Sequence, residues 1–224
     1  MDLSDSTLAY LRGERFSAGE SFDLGNSGPA LRRGERLVQL ARGQRVLHVG
    51  CCDHAALVAD KIRSGIYLHK NLCDAAARCV GVDTNVQALE QLRALGFADV
   101  HEPASVPAQD FDVCLAPDVI EHVGDPVSFL RGLRRYRFEH LIVSTPNVFR
   151  WRNALPGGER VNTDHRFWFS PYTLCKVLVD AGYRPTRVEL CHGDFVSWRG
   201  ALAAHVLGRV PRWRETLIVQ AVGA

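Results

Sequence analysis

The sequence predicts an α/β fold, a mostly parallel sheet covered by helices on both faces. Three observations carry this. Short apolar strand-like runs alternate with helix-like runs from Arg45 onward, as in a parallel sheet whose crossovers are helices. Several helix boundaries are chemically marked. Polar residues cluster just past the ends of apolar runs, at the edge where open α/β sheets bind ligands.

The elements follow in order. Residues 1–28 are polar and rich in glycine and serine, with Gly13, Gly19, Gly25 and Gly28, and read as a loosely structured arm or lid before a single domain spanning 29–224. Pro29 sits where the first turn of a helix starts, and Leu31, Leu37, Val38, Leu40 and Ala41 continue its apolar stripe. Strands are predicted over 45–49, 79–82, 111–115, 140–144, 186–190 and 215–222, with 98–102 as a short seventh. Helices are predicted near 54–64, 68–77, 85–95, 126–137 and 171–181. Asp125 before Pro126 and Ser170 before Pro171 are N-caps with proline at the first helical position. Gly96 and Gly182 stand where C-terminal stops belong. The last strand, following a full set of strand–helix units, reads as an antiparallel addition. Segment 191–213 holds Phe195, Trp198 and an apolar run at 201–207. It is too long for a simple loop and reads as part of a substrate pocket.

Composition narrows the class. A chain of 224 residues, 46% hydrophobic, can bury one large core. A net charge of +2 and a pI near 8.2 give no case for a nucleic-acid binder, though they do not rule out RNA. Seven cysteines without a CxxC pair argue against a zinc knuckle and read as buried thiols in a reducing compartment. The N-terminus lacks the basic start and apolar core of a signal peptide, and no apolar run approaches the roughly 18 residues of a membrane span. A soluble cytoplasmic protein without membrane contact is expected. Lysine occurs only at 61, 70 and 176, so arginine supplies most basic charge, a bias expected of a GC-rich bacterial source.

Three segments carry chemistry. Arg45-Val-Leu-His-Val-Gly-Cys-Cys-Asp-His54 runs from a strand through a tight turn into a helix. Backbone amides at such a turn can approach a ligand closely, although any doubly wound fold has turns like it. In Cys79-Val-Gly-Val-Asp83-Thr84 a carboxylate ends the second strand, placed to accept from both ribose hydroxyls or to cap the helix near Val86. A nicotinamide enzyme would place this acid about 20 residues past its glycine turn; here the interval is longer and two of the three fingerprint glycines are missing. The third segment is Phe111-Asp-Val-Cys-Leu-Ala-Pro-Asp118-Val-Ile-Glu121-His122-Val.

This order of motifs, with Ile142-Val-Ser-Thr-Pro-Asn147 and Phe169-Ser-Pro…Ala181-Gly-Tyr183, resembles the class I S-adenosylmethionine-dependent methyltransferases. Within them it is most similar to the group containing the ubiquinone-biosynthesis O-methyltransferases. The resemblance implies a Rossmann-like seven-stranded sheet in the order 3-2-1-4-5-7-6, with the cofactor across the strand ends. It implies that His48, Gly50 and Cys51 lie at the methionine moiety and Asp83 and Thr84 at the ribose. Ala104 and Ala116 then face the adenine and the methyl donor. Two positions depart from the pattern: His48 stands where an acid is usual, and Cys52 where a second glycine is usual.

Asp118, Glu121 and His122 are spaced to share one helical face, and Asn162-Thr-Asp164-His165 follows. Together they resemble the small-RNA 3′-terminal 2′-O-methyltransferases, which implies a divalent metal held by Asp118, Glu121, His122 and His165. Mg²⁺, Mn²⁺ or Zn²⁺ suits such ligands. Asp-x-x-Glu is equally a capping box. His165, then His122, are the expected catalytic bases, because imidazole titrates near neutral pH. The other histidines, His69 among them, read as surface or capping residues, and Arg131, Arg134, Arg135 and Arg137 as a solvated helix face. The expected function is O-methylation of a small molecule. The alternatives are an RNA ribose methyltransferase and a non-catalytic partner subunit.

Overall fold

The computed structural model describes residues 1–19, 21–22, 31–154, 162–194, 202 and 206–223. The strands are β1 (Arg45–Val49), β2 (Arg78–Val82), β3 (Val100–His101), β4 (Asp110–Pro117), β5 (Arg137–Pro146), β6 (Tyr183–Cys191) and β7 (Thr216–Gly223). They form one sheet in the order β3-β2-β1-β4-β5-β7-β6. Pairing is parallel from β3 to β5, while β7 lies antiparallel between β5 and β6. This is the order that the family resemblance implies.

The helices are α1 (Asp5–Leu11), α2 (Arg33–Ala41), α3 (Val58–Arg63), α4 (Leu68–Ala75), α5 (Val86–Ala94), α6 (Pro126–Leu133), α7 (Trp151–Ala154) and α8 (Pro171–Asp180). Alternate residues of each strand point to opposite faces. On one face Leu47, Cys114, Leu141 and Val143 pack with Leu130 of α6 and Leu174 and Leu178 of α8. On the other, Val46, Val113, Leu115 and Ile142 pack with Leu37 and Ala41 of α2 and Leu72 of α4. Each leucine buried this way contributes about 1.5–3 kcal/mol. The caps stand where expected. Asp125 and Ser170 accept from the backbone of Ser128 and Thr173, and Gly96 and Gly182 adopt φ of 95° and 86°.

Several expectations are corrected. Residues 1–12 are not a loose arm. Asp2 bridges Arg187 on the β6 edge, the Met1 amino group donates to the Val188 carbonyl at 2.7 Å, and Leu8 and Leu11 are buried in the core. The polar surface of α1 hides a two-leucine anchor, and Lys176 of α8 donates to the Leu11 carbonyl. Helix α2 starts at Arg33 because Leu31 and Arg32 pair instead with His192; Pro29 lies outside the described residues. The run 54–64 splits into a 3₁₀ turn (Ala55–Leu57) and α3. Helix α6 ends at Leu133, since Arg137 already pairs with Asp110 in the sheet. The arginine series is exposed as expected, but only Arg131 lies within the helix. Arg131 and Arg134 donate to the carbonyls of Asp180 and Gly182 at the end of α8, and Arg137 pairs with Asp110. Phe195 and Trp198 of the expected pocket segment lie outside the described residues. Among the described residues, no helix is long and apolar enough to cross a membrane.

Candidate active site

A cavity of about 660 Å³ opens where β1, β2 and β4 end. It falls within the 300–1,000 Å³ of small-molecule sites, at the carboxyl edge of the sheet where the fold directs ligands. Gly50, Cys51, Asp83 and Thr84 line one side; Asp118, Glu121, His122 and His165 line another.

On the first side the turn after β1 is closed on itself. The amides of Gly50 and Cys51 both donate to the Val82 carbonyl, at 2.8 and 3.3 Å, so they do not point at a ligand as the sequence suggests. Gly50 is required for another reason. Its φ is +76°, and a Cβ there would lie 2.5 Å from Val119 Cγ2. Asp83 accepts from the amides of Cys52 and Asn85, each at 3.0 Å. The helix cap expected of it belongs to Asn85, which accepts from Ala88. Asp83 is thus oriented from behind while facing the cavity with lone pairs to spare.

His48, the departure from the acidic pattern, is buried, with Nδ1 3.0 Å from Nδ1 of His69. Burial, then the neighbouring His69 and Arg33, hold its pKa well below the ordinary value. It is neutral and offers no counter-charge to an ammonium. The carboxylates that line the cavity besides Asp83 are Asp53, Asp118 and Glu121. His69 is 1% exposed and lines the same cavity, so the surface reading of it is corrected. Ala116 is buried within β4 and Ala104 is exposed; their neighbours Pro117 and Pro103 line the cavity instead.

The second side is a turn, not a helix face. Asp118 has φ of +52° and the segment to Gly124 is non-helical, so neither the helical spacing nor the capping box applies. Asp118 turns away from the cluster, accepting from Ser144 Oγ at 2.9 Å and pairing with Arg33 at 2.7 Å. Glu121, His122 and His165 nevertheless meet, each offering a ligand atom within 4.8 Å of the others. They meet because the amides of Arg166 and Phe167 donate to the Glu121 carbonyl, stitching the later loop to the turn.

Glu121 is 1% exposed. Its Oε2 accepts from Thr145 at 3.0 Å while Oε1 has no partner. Burial first, then the nearby Asp118 charge, push its carboxyl up to about 8. His122 Nδ1 lies 3.1 Å from the Asp164 carbonyl, which fixes the proton on that nitrogen and leaves Nε2 a lone pair. The His122 and His165 rings meet edge to face with centroids 4.7 Å apart, and Trp168 abuts His165 at 5.9 Å. Buried His165 Nδ1 has no partner, and burial, then His122, lowers its pKa.

A seven-stranded sheet closed by the β7–β6 pair, with an acid ending β2 beside a strand-end cavity, defines the class I S-adenosylmethionine-dependent methyltransferases. Residues 26–188 match the methyltransferase-domain family, and the chain belongs to it. No curated relative matches by sequence. Solved structures share the fold. A methyltransferase from Aquifex aeolicus is 18% identical, with 91% of this chain and 100% of that one covered and a TM-score of 0.54. One from Mesorhizobium loti is 18% identical over 88% and 100%, with a TM-score of 0.51. The magnesium protoporphyrin IX methyltransferase of Synechocystis, with bound S-adenosylhomocysteine, is 15% identical over 97% and 95%, with a TM-score of 0.51.

Proposed function

We propose that the chain methylates an oxygen of a small molecule and that His165 accepts that oxygen's proton. The observation behind this is the buried His165 Nδ1 without a partner, in a side chain that lines the same cavity as Asp83. S-adenosylmethionine, when bound, supplies a methyl carbon on a cationic sulfur, open to in-line displacement. Asp83 holds the ribose hydroxyls, and the Gly50 turn borders the methionine end with Asp53 or Asp118 as its counter-charge. The lowered pKa keeps His165 unprotonated near pH 7 and ready to take the proton as the acceptor oxygen bonds to carbon. Holding the two reactants in line is worth up to about 7–11 kcal/mol. Of the four arginines at 131, 134, 135 and 137, three are engaged with carbonyls or Asp110, and Arg135 alone of them lines the cavity, which favours a small acceptor over a polyanion. Seven free thiols, six of them buried, support a reducing, cytoplasmic setting.

The test is transfer of labelled methyl from S-adenosylmethionine to hydroxyl-bearing small molecules and to short RNAs. Transfer to a small-molecule oxygen, lost in His165→Ala with cofactor binding intact, is expected. Transfer only to RNA would contradict the reading.

A second reading is favoured by one observation. Glu121 Oε1 is buried without a partner beside two imidazoles, a donor set that suits a divalent cation. Glu121, His122 and His165 would hold it, without Asp118. Such an ion supplies Lewis acidity that lowers the pKa of an acceptor hydroxyl. The Asp164 carbonyl, accepting from His122 Nδ1, would orient that ligand. Loss of turnover with EDTA and recovery with Mg²⁺, Mn²⁺ or Zn²⁺ would establish this reading; indifference to EDTA would leave His165 acting without metal.

A further inference from the structure

We propose a second metal site, for a thiophilic divalent cation of the Zn²⁺ type, formed by His69, Cys73 and Cys79. His69 and Cys73 are one helical turn apart on α4 and so share a face. Cys79 is the second residue of β2, against which α4 packs. The His69 ring nitrogens stand 3.8 Å from each sulfur, Nε2 from Cys73 and Nδ1 from Cys79. One nitrogen and both sulfurs lie within 4.8 Å of one another. Around a tetrahedral zinc, with bonds of about 2.0–2.3 Å, ligand atoms sit roughly 3.3–3.8 Å apart. A contraction of up to about 1.5 Å completes the site.

The surroundings are those of a ligand set. Nδ1 of buried His48 lies 3.0 Å from Nδ1 of His69. When His69 donates in that contact, its Nε2 lone pair faces Cys73, and His48 becomes the outer partner that fixes a ligating imidazole. Cys73 is exposed while His69 and Cys79 are buried, so a cation enters from the Cys73 side. Two thiols select a soft or borderline ion over Mg²⁺, and their two protons leave to solvent on binding.

Two other clusters fit worse. Cys51, Cys52 and Asp83 also converge, but Asp83 already accepts two amides and faces the cofactor cavity. Glu121, His122 and His165 contain no sulfur. Because His48 and His69 line that cavity, an ion here ties α4 to β2 at the cavity wall. It is independent of the acceptor chemistry proposed above.

Co²⁺ titrated into the reduced full-length protein tests this, since thiolate ligation gives an intense near-ultraviolet charge-transfer band that carboxylate and imidazole do not. The band is expected in the native chain, in Cys51→Ser/Cys52→Ser and in His122→Ala/His165→Ala. It should be lost in Cys73→Ser, a change at an exposed position that leaves the core intact, with one equivalent of bound Zn²⁺ lost alongside. No band in the native chain, or a band that survives Cys73→Ser, would overturn the proposal.

Discussion

The two sides of the cavity are built on opposite rules. On the β1–β2 side polar groups have partners before any ligand arrives: the turn amides in Val82, each Asp83 oxygen in one amide, of Cys52 or Asn85, and His48 in His69. On the β4–β5 side Glu121 Oε1 and His165 Nδ1 are buried and left without partners. Each unsatisfied group costs about 1–3 kcal/mol, a cost tolerated where the group has chemistry to do. On the function proposed above, the first side binds and the second reacts. Gly50 joins them, since a Cβ at this position would lie 2.5 Å from Val119 Cγ2 of the turn that carries Glu121.

The largest expected effect falls on the reactive side. His165→Ala should lower the rate about 10²–10⁴-fold with cofactor affinity retained, read by labelled-methyl transfer and calorimetry together; an equal loss of affinity would erase the distinction between the sides. Next comes the support of that side. Arg33 of α2 reaches Asp118, and α2 is held to β6 by Arg36 on Glu189 at 2.6 and 2.8 Å. Glu189→Gln should cost about 3 kcal/mol in denaturant unfolding at neutral pH. Burial raises the Glu189 carboxyl, but the hydrogen bonds and charges of Arg36, with Arg187 and Gln220, outweigh it and the net pKa falls below 4.5. Its contribution is therefore complete above pH 4.5 and drains as pH falls through the lowered value. The variant should show a flatter acid limb of stability, and an unchanged slope would remove Glu189 as the cause.

Gly50→Ala should cost about 2 kcal/mol from its left-handed backbone and its clash with Val119. It should depress both cofactor affinity and rate, because it moves both sides. A thermal melt within a degree or so of the native chain would show that the turn accommodates a methyl group.

What the sequence made legible was local. β1 is apolar at Val46, Leu47 and Val49, and Asp125-Pro126 and Ser170-Pro171 mark helix starts by side-chain chemistry alone. The order of units made room for a final strand, and the family resemblance supplied its antiparallel sense. What stayed hidden depended on distant partners. Arg134–Arg137 continue a helical composition, and only pairing with β4 converts Arg137 to strand. The spacing of Asp118, Glu121 and His122 reads as a helix face, yet the positive φ of Asp118 makes it a turn. Three of the four expected ligands still converge, through backbone bonds to the Glu121 carbonyl that no side-chain pattern announces. His69 carried a clue, a histidine one turn before Cys73, but a pair that close in sequence gains meaning only when Cys79 folds beneath it.

The division between a binding side and a reacting side rests most directly on Asp83. Calorimetric titration of S-adenosylhomocysteine into the native chain, Asp83→Ala and His165→Ala measures it. Asp83→Ala should weaken binding at least tenfold, about 1.4 kcal/mol and well within the loss of two charge-assisted hydrogen bonds, while His165→Ala stays within about twofold. Native affinity in Asp83→Ala, or a loss in His165→Ala as large as that in Asp83→Ala, would contradict it.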